Sequence, residues 1–206
     1  MEIISVIGPI GSGKSSFVEH TKKFNIADDY YHENVEGNIW LKMEPTIDNL
    51  VSCQAFIINQ KKEFYQKYDS QSDIKILEDA SLYQDLYYVD QSFKEHSPMV
   101  HRLVTDAYLT LIKSTYDQSV KHKIIFMELD PHQNLKNVKS RGRDFEQQLD
   151  LDFFVQQREK LKKILSKFSN NFEFIEYRPN PEKYFIEKEE EEKEYYKNIF
   201  TELGLI

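Results

Sequence analysis

The residue types with the most specific chemistry lie near the start of the chain. Residues 8–15 are Gly-Pro-Ile-Gly-Ser-Gly-Lys-Ser, and they directly follow the largely apolar run at residues 3–7. A strand that ends in glycines and turns into a helix leaves several backbone N–H groups unpaired at one point, where the helix dipole also favours negative charge. Such a loop binds phosphate, with Lys14 on the β and γ phosphates and the Ser15 hydroxyl on Mg²⁺. We therefore predict that a nucleoside triphosphate binds to Gly8, Gly11, Ser12, Gly13, Lys14, Ser15 and Ser16.

Two carboxylates lie at the ends of predicted strands. Glu33 closes the second strand and could be a general base for a hydroxyl nucleophile, although an ordinary loop acid is the better interpretation of Glu33 alone. Asp79 follows the third strand, and a carboxylate beside the phosphate loop anchors Mg²⁺ directly or through water. We predict that Asp79 and Ser15 hold the metal.

Two further patterns point to ligand contacts. Gln54 and Lys61 are seven residues apart in a predicted helix and so share a face. The Gln54 amide offers a donor and an acceptor side by side, which can bind the edge of a nucleobase. Arg141 and Arg143 flank a glycine, which suits a mobile lid that closes on a transferring phosphoryl group. A solvated basic turn is the alternative for this segment.

Alternating short β-branched runs and longer helical patterns predict the elements that position these residues. Strands are predicted at 2–7, 29–33, 73–78, 123–129 and 172–177, and helices at 14–24, 46–67, 98–118, 150–168 and 180–203. This order predicts a three-layer α/β fold with a five-stranded parallel sheet. Ligands of such sheets bind at the carboxyl ends of the strands. We expect one domain over residues 1–206, with a lid at residues 137–148.

The amino-acid composition limits the classes of molecule that this protein is expected to bind. A net charge of −8 without a basic stripe argues against a nucleic acid polymer and favours a small anionic ligand. The chain has one cysteine, Cys53, and the first strand is predicted to begin at Glu2, with no apolar run long enough to span a membrane. We therefore expect a cytoplasmic protein without a membrane partner.

The order of these motifs resembles the deoxynucleoside kinase family, which includes deoxycytidine, deoxyguanosine and deoxyadenosine kinases. The resemblance covers about residues 1–165. It consists of the phosphate loop, a Glu-x-Val segment at Glu33, the helix with Gln54, an acid-x-Ser-x-Tyr-x-Asp segment at 79–85, and Arg-Gly-Arg-x-x-Glu at 141–146. It implies a P-loop nucleoside-kinase-like fold and a homodimer. It also implies phosphorylation of the 5′-hydroxyl of a deoxynucleoside, in nucleotide salvage, with ATP and Mg²⁺.

The resemblance also implies roles for individual residues. Glu33 would be the catalytic base that takes the 5′-hydroxyl proton, and Arg141 and Arg143 would be the catalytic lid arginines. Glu146 would meet the sugar 3′-hydroxyl. The implied nucleoside site consists of Gln54, Lys61, Asp85, Glu146 and Trp40, with Lys61 and Asp85 in the positions of an Arg and Asp pair in the base pocket.

Three positions depart from the family pattern. Ala80 replaces an arginine near the transferred phosphate, Met43 replaces a tyrosine that shares the 3′-hydroxyl, and Asn137 replaces a lid arginine. Loss of one preorganised charge at a phosphoryl-transfer site costs on the order of a hundredfold in rate.

These departures leave two alternatives to the kinase. The first is a nucleotide-binding protein that has lost catalysis and acts through a partner. The second is a nucleoside monophosphate kinase, which needs an arginine after the third strand for the acceptor phosphate. Ala80 and Leu86 do not supply one.

Overall fold

The computed structural model describes residues 1–68, 73–143, 146–180 and 189–206, and it contains a five-stranded parallel sheet. The strands are β1 (Glu2–Ile7), β2 (Asp29–Tyr31), β3 (Lys75–Asp79), β4 (Lys121–Met127) and β5 (Glu173–Tyr177). Their order across the sheet is β2-β3-β1-β4-β5, and all pairs are parallel. The predicted strand number, direction and approximate positions are therefore confirmed.

Seven α-helices connect or follow the strands in the described part of the chain. They are α1 (Lys14–Lys23), α2 (Ile47–Tyr65), α3 (Leu82–Phe93), α4 (Pro98–Thr115), α5 (Pro131–Arg141), α6 (Leu151–Ser166) and α7 (Glu189–Glu202). Short 3₁₀ helices occupy Ile39–Lys42 and Ser169–Asn171. None of the helices within the described ranges is both long enough and apolar enough to cross a membrane.

The sequence pattern did not predict α3 and α5. Every residue from Leu82 to Tyr87 is buried, so the first half of α3 lacks the polar face that reveals a surface helix. The start of α5 does carry a signal, because the Asp130 side chain accepts a hydrogen bond from the His132 N–H and Pro131 occupies the first turn. The predicted last helix, 180–203, is observed only as α7, and residues 181–188 lie outside the described residues.

Alternate residues of the strands pack on opposite faces of the sheet. On one face, Ile3, Ile76 and Ile124 pack with residues of α2, α3, α4 and α6. On the other face, Ile4 and Ile125 pack with residues of α1 and α7. This alternation produces the predicted three layers. The three central strands, β3, β1 and β4, are buried on both faces, which is typical of parallel sheets.

The carboxyl ends of the strands converge on one edge of the sheet. The phosphate loop follows β1, and Val6 of β1 pairs in register with Asp79 at the end of β3. Strand β2 ends at Tyr31, so Glu33 lies two residues beyond the strand and not within it as predicted. The predicted lid begins within α5, and its residues 144–145 lie outside the described residues.

Candidate active site

The phosphate loop has the backbone shape that an anion site requires. Gly11 and Gly13 have φ of 76° and 88°, a left-handed conformation that side chains other than glycine rarely adopt. A Cβ on Gly8 would lie 2.7 Å from the Met127 carbonyl oxygen, so a side chain cannot fit there either. The first hydrogen bond of α1 runs from Phe17 N–H to the Gly13 carbonyl. The N–H groups of Lys14, Ser15 and Ser16 precede this bond and are the helix-terminal donors available to phosphate.

Lys14 and Ser15 place a cation and a hydroxyl at this helix end. Lys14 Nζ donates to the carbonyl oxygens of Gly8 and Pro9, each at 2.9 Å. Burial lowers the pKa of Lys14, while the Asp79 carboxylate opposes that shift. Ser15 Oγ donates to Asp79 Oδ2 at 2.6 Å. The two predicted metal ligands are therefore neighbours, directly beside the lysine of the loop.

A cavity of about 440 Å³ opens beside the loop at the carboxyl ends of the strands. The predicted site residues that line it are Gly11, Lys14, Ser15, Glu33, Gln54, Asp79, Arg141, Arg143 and Glu146. Apolar side chains of α2 complete one wall, among them Leu50, Cys53 and Ile57. Residues from five separate parts of the sequence thus meet around one space large enough for a small molecule.

Glu33 is the lining carboxylate with the most altered acidity. Burial raises the pKa of Glu33 to about 7, and the negative charges of Asp85 and Asp79 add to this effect. Lys61 and Lys14 act in the opposite direction. A carboxylate whose pKa lies near neutrality can accept and release a proton under physiological conditions. Its raised pKa and its position in the cavity lining therefore make Glu33 a candidate general base.

Gln54 is buried in the cavity wall with a fixed orientation. Its Oε1 accepts a hydrogen bond from the Tyr108 hydroxyl at 2.9 Å, and Tyr108 is fully buried on α4. With Oε1 held by Tyr108, the Gln54 Nε2 group keeps its two donors. The amide can therefore offer a donor, and the second lone pair of its oxygen, to a flat polar ligand.

Lys61 and Asp85 lie together, but neither is among the described residues that line the cavity. Lys61 Nζ is 2.9 Å from Asp85 Oδ2 and 3.4 Å from the Ala80 carbonyl oxygen, and both side chains are buried. Burial alone would lower the pKa of Lys61, but the carboxylates of Asp85 and Glu78 raise it above its usual range. The pair therefore supports the cavity from beneath. Its assignment to direct substrate contact stays a prediction.

Trp40 also stands apart from the lining residues in the described part of the chain. It lies in the 3₁₀ helix Ile39–Lys42, and its ring packs against Phe56 of α2 with centroids 5.8 Å apart. Its contact with substrate stays a prediction.

The predicted lid residues are paired with one another. Arg141 Nη2 lies 2.6 Å from both carboxylate oxygens of Glu146, and Arg141 Nε lies 3.1 Å from one of them. Arg143 Nη1 is 3.6 Å from Glu146, and its Nη2 is 3.9 Å from Glu36. Glu146 is buried beneath both arginines. The oxygens predicted to meet a sugar hydroxyl are therefore held by guanidinium groups in this state.

Three amide side chains near the loop were not predicted as site residues. Gln84 Oε1 accepts from the Gly8 N–H at 3.1 Å, and Gln157 Oε1 accepts from the Ile10 N–H at 2.9 Å. Asn137 Nδ2 donates to the Gly11 carbonyl at 2.8 Å. Gln84 lies inside the acid-x-Ser-x-Tyr-x-Asp segment, so the sequence did indicate that this part of the chain is close to the site. Nothing in the sequence marked Gln157, because it lies almost 150 residues from its partner Ile10.

Comparison with solved structures identifies the same fold in deoxyadenosine kinase from M. mycoides. The structure with bound dCTP has a TM-score of 0.69 and 15% sequence identity, covering 98% of this chain and 100% of that one. The structure with the products dCMP and dCDP has a TM-score of 0.60 and 17% identity over the same shares of the two chains. The structure with dATP has a TM-score of 0.64 and 15% identity, covering 86% of this chain and 91% of that one.

Of the two sequence comparisons, the one with protein families agrees with the motif pattern. No curated protein sequence matches the chain. The sequence profile of the deoxynucleoside kinase family, in contrast, matches residues 4–203, which is nearly the whole chain. The protein therefore belongs to the deoxynucleoside kinase family and is a kinase of that class.

Proposed function

We propose that this kinase transfers the γ-phosphoryl group of ATP to the 5′-hydroxyl of a deoxynucleoside. One observation carries the proposal: the phosphate loop and Glu33, whose pKa is raised to about 7, open into the same cavity. A phosphate site and a poised base on one cavity suit the phosphorylation of a hydroxyl group. In the reaction, the 5′-oxygen bonds to the γ-phosphorus, the bond from this phosphorus to the β–γ bridging oxygen breaks, and the 5′-proton passes to Glu33.

On the donor side, the chain's own groups bind and neutralise the triphosphate. The loop N–H groups and the Lys14 ammonium would surround the β and γ phosphates. Arg141 and Arg143 would turn from Glu146 toward the transferred group, where their charge counts most in the transition state. This exchange would release the Glu146 carboxylate toward the acceptor.

The oxygens of Ser15 and Asp79 suit Mg²⁺ at this position. They lie 2.6 Å apart at the helix end, and a hydroxyl and a carboxylate are the ligands that Mg²⁺ prefers. No cluster of three or more metal-binding side chains occurs in the described ranges, so phosphate and water would complete the coordination. Bound there, Mg²⁺ would neutralise charge on the phosphates.

On the acceptor side, the cavity wall offers one polar group among apolar ones. Leu50, Cys53 and Ile57 provide flat apolar contact, and Gln54 provides the hydrogen-bonding amide. A nucleobase has this combination of an apolar face and a polar edge. The M. mycoides structures contain both a purine and cytosine nucleotides, which supports a deoxynucleoside as the acceptor class here without selecting the base.

The departures from the family pattern leave the central groups in place. Ala80 lines the cavity without a charge, but the buried Lys61 ammonium lies 3.4 Å from the Ala80 carbonyl oxygen. Asn137, in the position of a lid arginine, instead donates to the phosphate loop. Lys14, Glu33, Asp79 and the two lid arginines all line the cavity, which favours a working enzyme over a protein that binds nucleotide without catalysis. Part of the proposal is that the kinase is a cytoplasmic homodimer that acts in nucleotide salvage.

The test is product analysis with the purified protein, ATP, Mg²⁺ and a panel of deoxynucleosides and deoxynucleoside monophosphates. We expect monophosphate from at least one deoxynucleoside and no diphosphate from the monophosphates. Formation of diphosphates alone would identify a monophosphate kinase. ATP binding without any product would leave the partner-binding alternative. Light scattering of the same sample measures the oligomeric state.

A further inference from the structure

Three side-chain amides from three different helices each hold one backbone group of the phosphate loop. Gln84 on α3 holds the Gly8 N–H, Gln157 on α6 holds the Ile10 N–H, and Asn137 on α5 holds the Gly11 carbonyl. The donor–acceptor distances are 3.1, 2.9 and 2.8 Å. All three are within the range of ordinary hydrogen bonds.

These contacts sort the N–H groups of the loop into two sets. The N–H groups of Gly8 and Ile10 are occupied by glutamine oxygens, and the Ser12 N–H donates to the Pro9 carbonyl at 3.2 Å. The N–H groups at the start of α1 are not used in this way, because α1 makes its first helical bond at Phe17. The amide contacts therefore fix the first half of the loop and leave the second half to phosphate.

The glutamines are rigid supports, since Gln84 is 3% and Gln157 is 0% exposed. Asn137 is oriented in turn by Gln133, whose Nε2 donates to Asn137 Oδ1 at 2.8 Å. Gly11 packs directly on α5, where an added Cβ would lie 2.7 Å from the Asn134 carbonyl oxygen. A loop that is held in its binding shape before the ligand arrives loses less conformational entropy on binding.

We propose that Gln84, Gln157 and Asn137 are positioning residues that hold the phosphate loop, before the ligand binds, in the shape that binds the donor triphosphate. This inference rests on the proposed function, because it takes the loop to be the donor site. Asn137 and Arg141 are one helical turn apart on α5, so the contact with Gly11 also fixes the helix that carries the first lid arginine.

The test compares Gln157→Leu with Gln156→Leu, its exposed neighbour on α6, and Asn137→Leu with Lys136→Leu, its exposed neighbour on α5. Affinities for ATP and for the deoxynucleoside are measured separately by calorimetry, well below the melting temperature. We expect Gln157→Leu and Asn137→Leu each to weaken ATP binding about tenfold, the effect of one lost hydrogen bond, while deoxynucleoside affinity changes less than twofold. The two control variants should bind both ligands like the unaltered protein.

Each other outcome counts against the inference. A lower melting temperature with unchanged ATP affinity would make the amides structural only, and equal losses for both ligands would indicate general distortion of the cavity. If Gln157→Leu does not fold, the partly exposed position of Asn137 keeps the test available. Phosphorylation by the unaltered protein with no change in either variant would refute this inference alone, whereas failure of the unaltered protein to bind ATP would refute the proposed function with it.

Discussion

Lys61 Nζ lies 2.9 Å from Asp85 Oδ2 in a position where the two side chains are 0% and 3% exposed. Lys61 also interacts electrostatically with two further carboxylates, those of the buried Glu78 and the partly buried Glu33. Glu78 itself accepts hydrogen bonds from Ser5, Tyr65 and Tyr116. One ammonium group therefore interacts with carboxylates both in the cavity lining and behind it, which makes Lys61 important for the fold as well as for the site.

Replacing Lys61 with methionine should strongly destabilise the protein. Removal of one partner from a buried ion pair leaves an uncompensated charge and costs about 3–5 kcal/mol. Lys61→Arg keeps the charge and should cost clearly less. Urea unfolding followed by circular dichroism measures both variants. The double variant Lys61→Met with Asp85→Leu should recover part of the lost stability, because it removes both charges. Equal stability of Lys61→Met and the unaltered protein would mean that the pair does not matter energetically.

Lys14→Met should abolish most ATP-dependent turnover while the protein stays folded. The side chain is only partly buried, and its hydrogen bonds go to two loop carbonyls at the edge of the cavity. Methionine keeps the length of the side chain and removes the charge, so we expect kcat to fall on the order of a hundredfold or more. Steady-state kinetics and a thermal melt check the two parts. Lys22→Met, on the exposed face of α1, is the matched control and should leave kcat unchanged.

Glu33 should give the enzyme an acid limb in its pH profile. Its pKa is raised to about 7, and a general base acts only when deprotonated, so kcat/KM should rise with pH through about 7 and level off above it. Glu33→Gln should lose about 10² or more in kcat with nucleoside affinity changed only a few-fold. The exposed Glu44→Gln is the control. A higher KM with normal kcat in Glu33→Gln would instead make Glu33 a binding residue.

The parts of this structure that local sequence determines could be predicted. The glycines and Lys14 of the loop lie close together within residues 8–14, and strands β1 and β4 contain apolar runs, so the centre of the sheet, the loop and its helix follow from sequence. Helix α3 was not predictable from periodicity, because its buried first half has no polar face. The supports of the loop depend on tertiary contacts, such as the one between Ile10 and Gln157, that no local pattern contains.

The site residues divide in the same way. Glu33, Gln54 and Asp79 line the cavity, while their roles in the reaction stay predictions. The burial of Lys61 and Asp85 beneath the cavity could not be derived from their spacing, since a helix face does not reveal whether it meets ligand or core. The same pattern is compatible with either environment.

Ala80→Arg should move the acid limb of the pH profile to lower pH. Ala80, Glu33 and Asp79 all line the cavity, so an arginine side chain at position 80 would extend into the space that Glu33 faces. The backbone at Ala80 is left-handed, with φ of 68°. A residue with a Cβ atom already occupies this conformation, so the substitution to arginine does not require a change of backbone. A guanidinium group near Glu33 favours the ionised carboxylate and lowers its pKa from about 7.

The profile of kcat/KM against pH measures this effect for Ala80→Arg and for Ala80→Met, which adds bulk without charge. We expect the limb to shift by about one pH unit or more in the arginine variant and to stay in place in the methionine variant, since one opposite charge within about 6 Å shifts a carboxyl pKa by 1–3 units. Equal shifts in both variants would assign the effect to lost solvent around Glu33. An unchanged limb in Ala80→Arg, with activity retained, would mean that Glu33 is not the group that titrates.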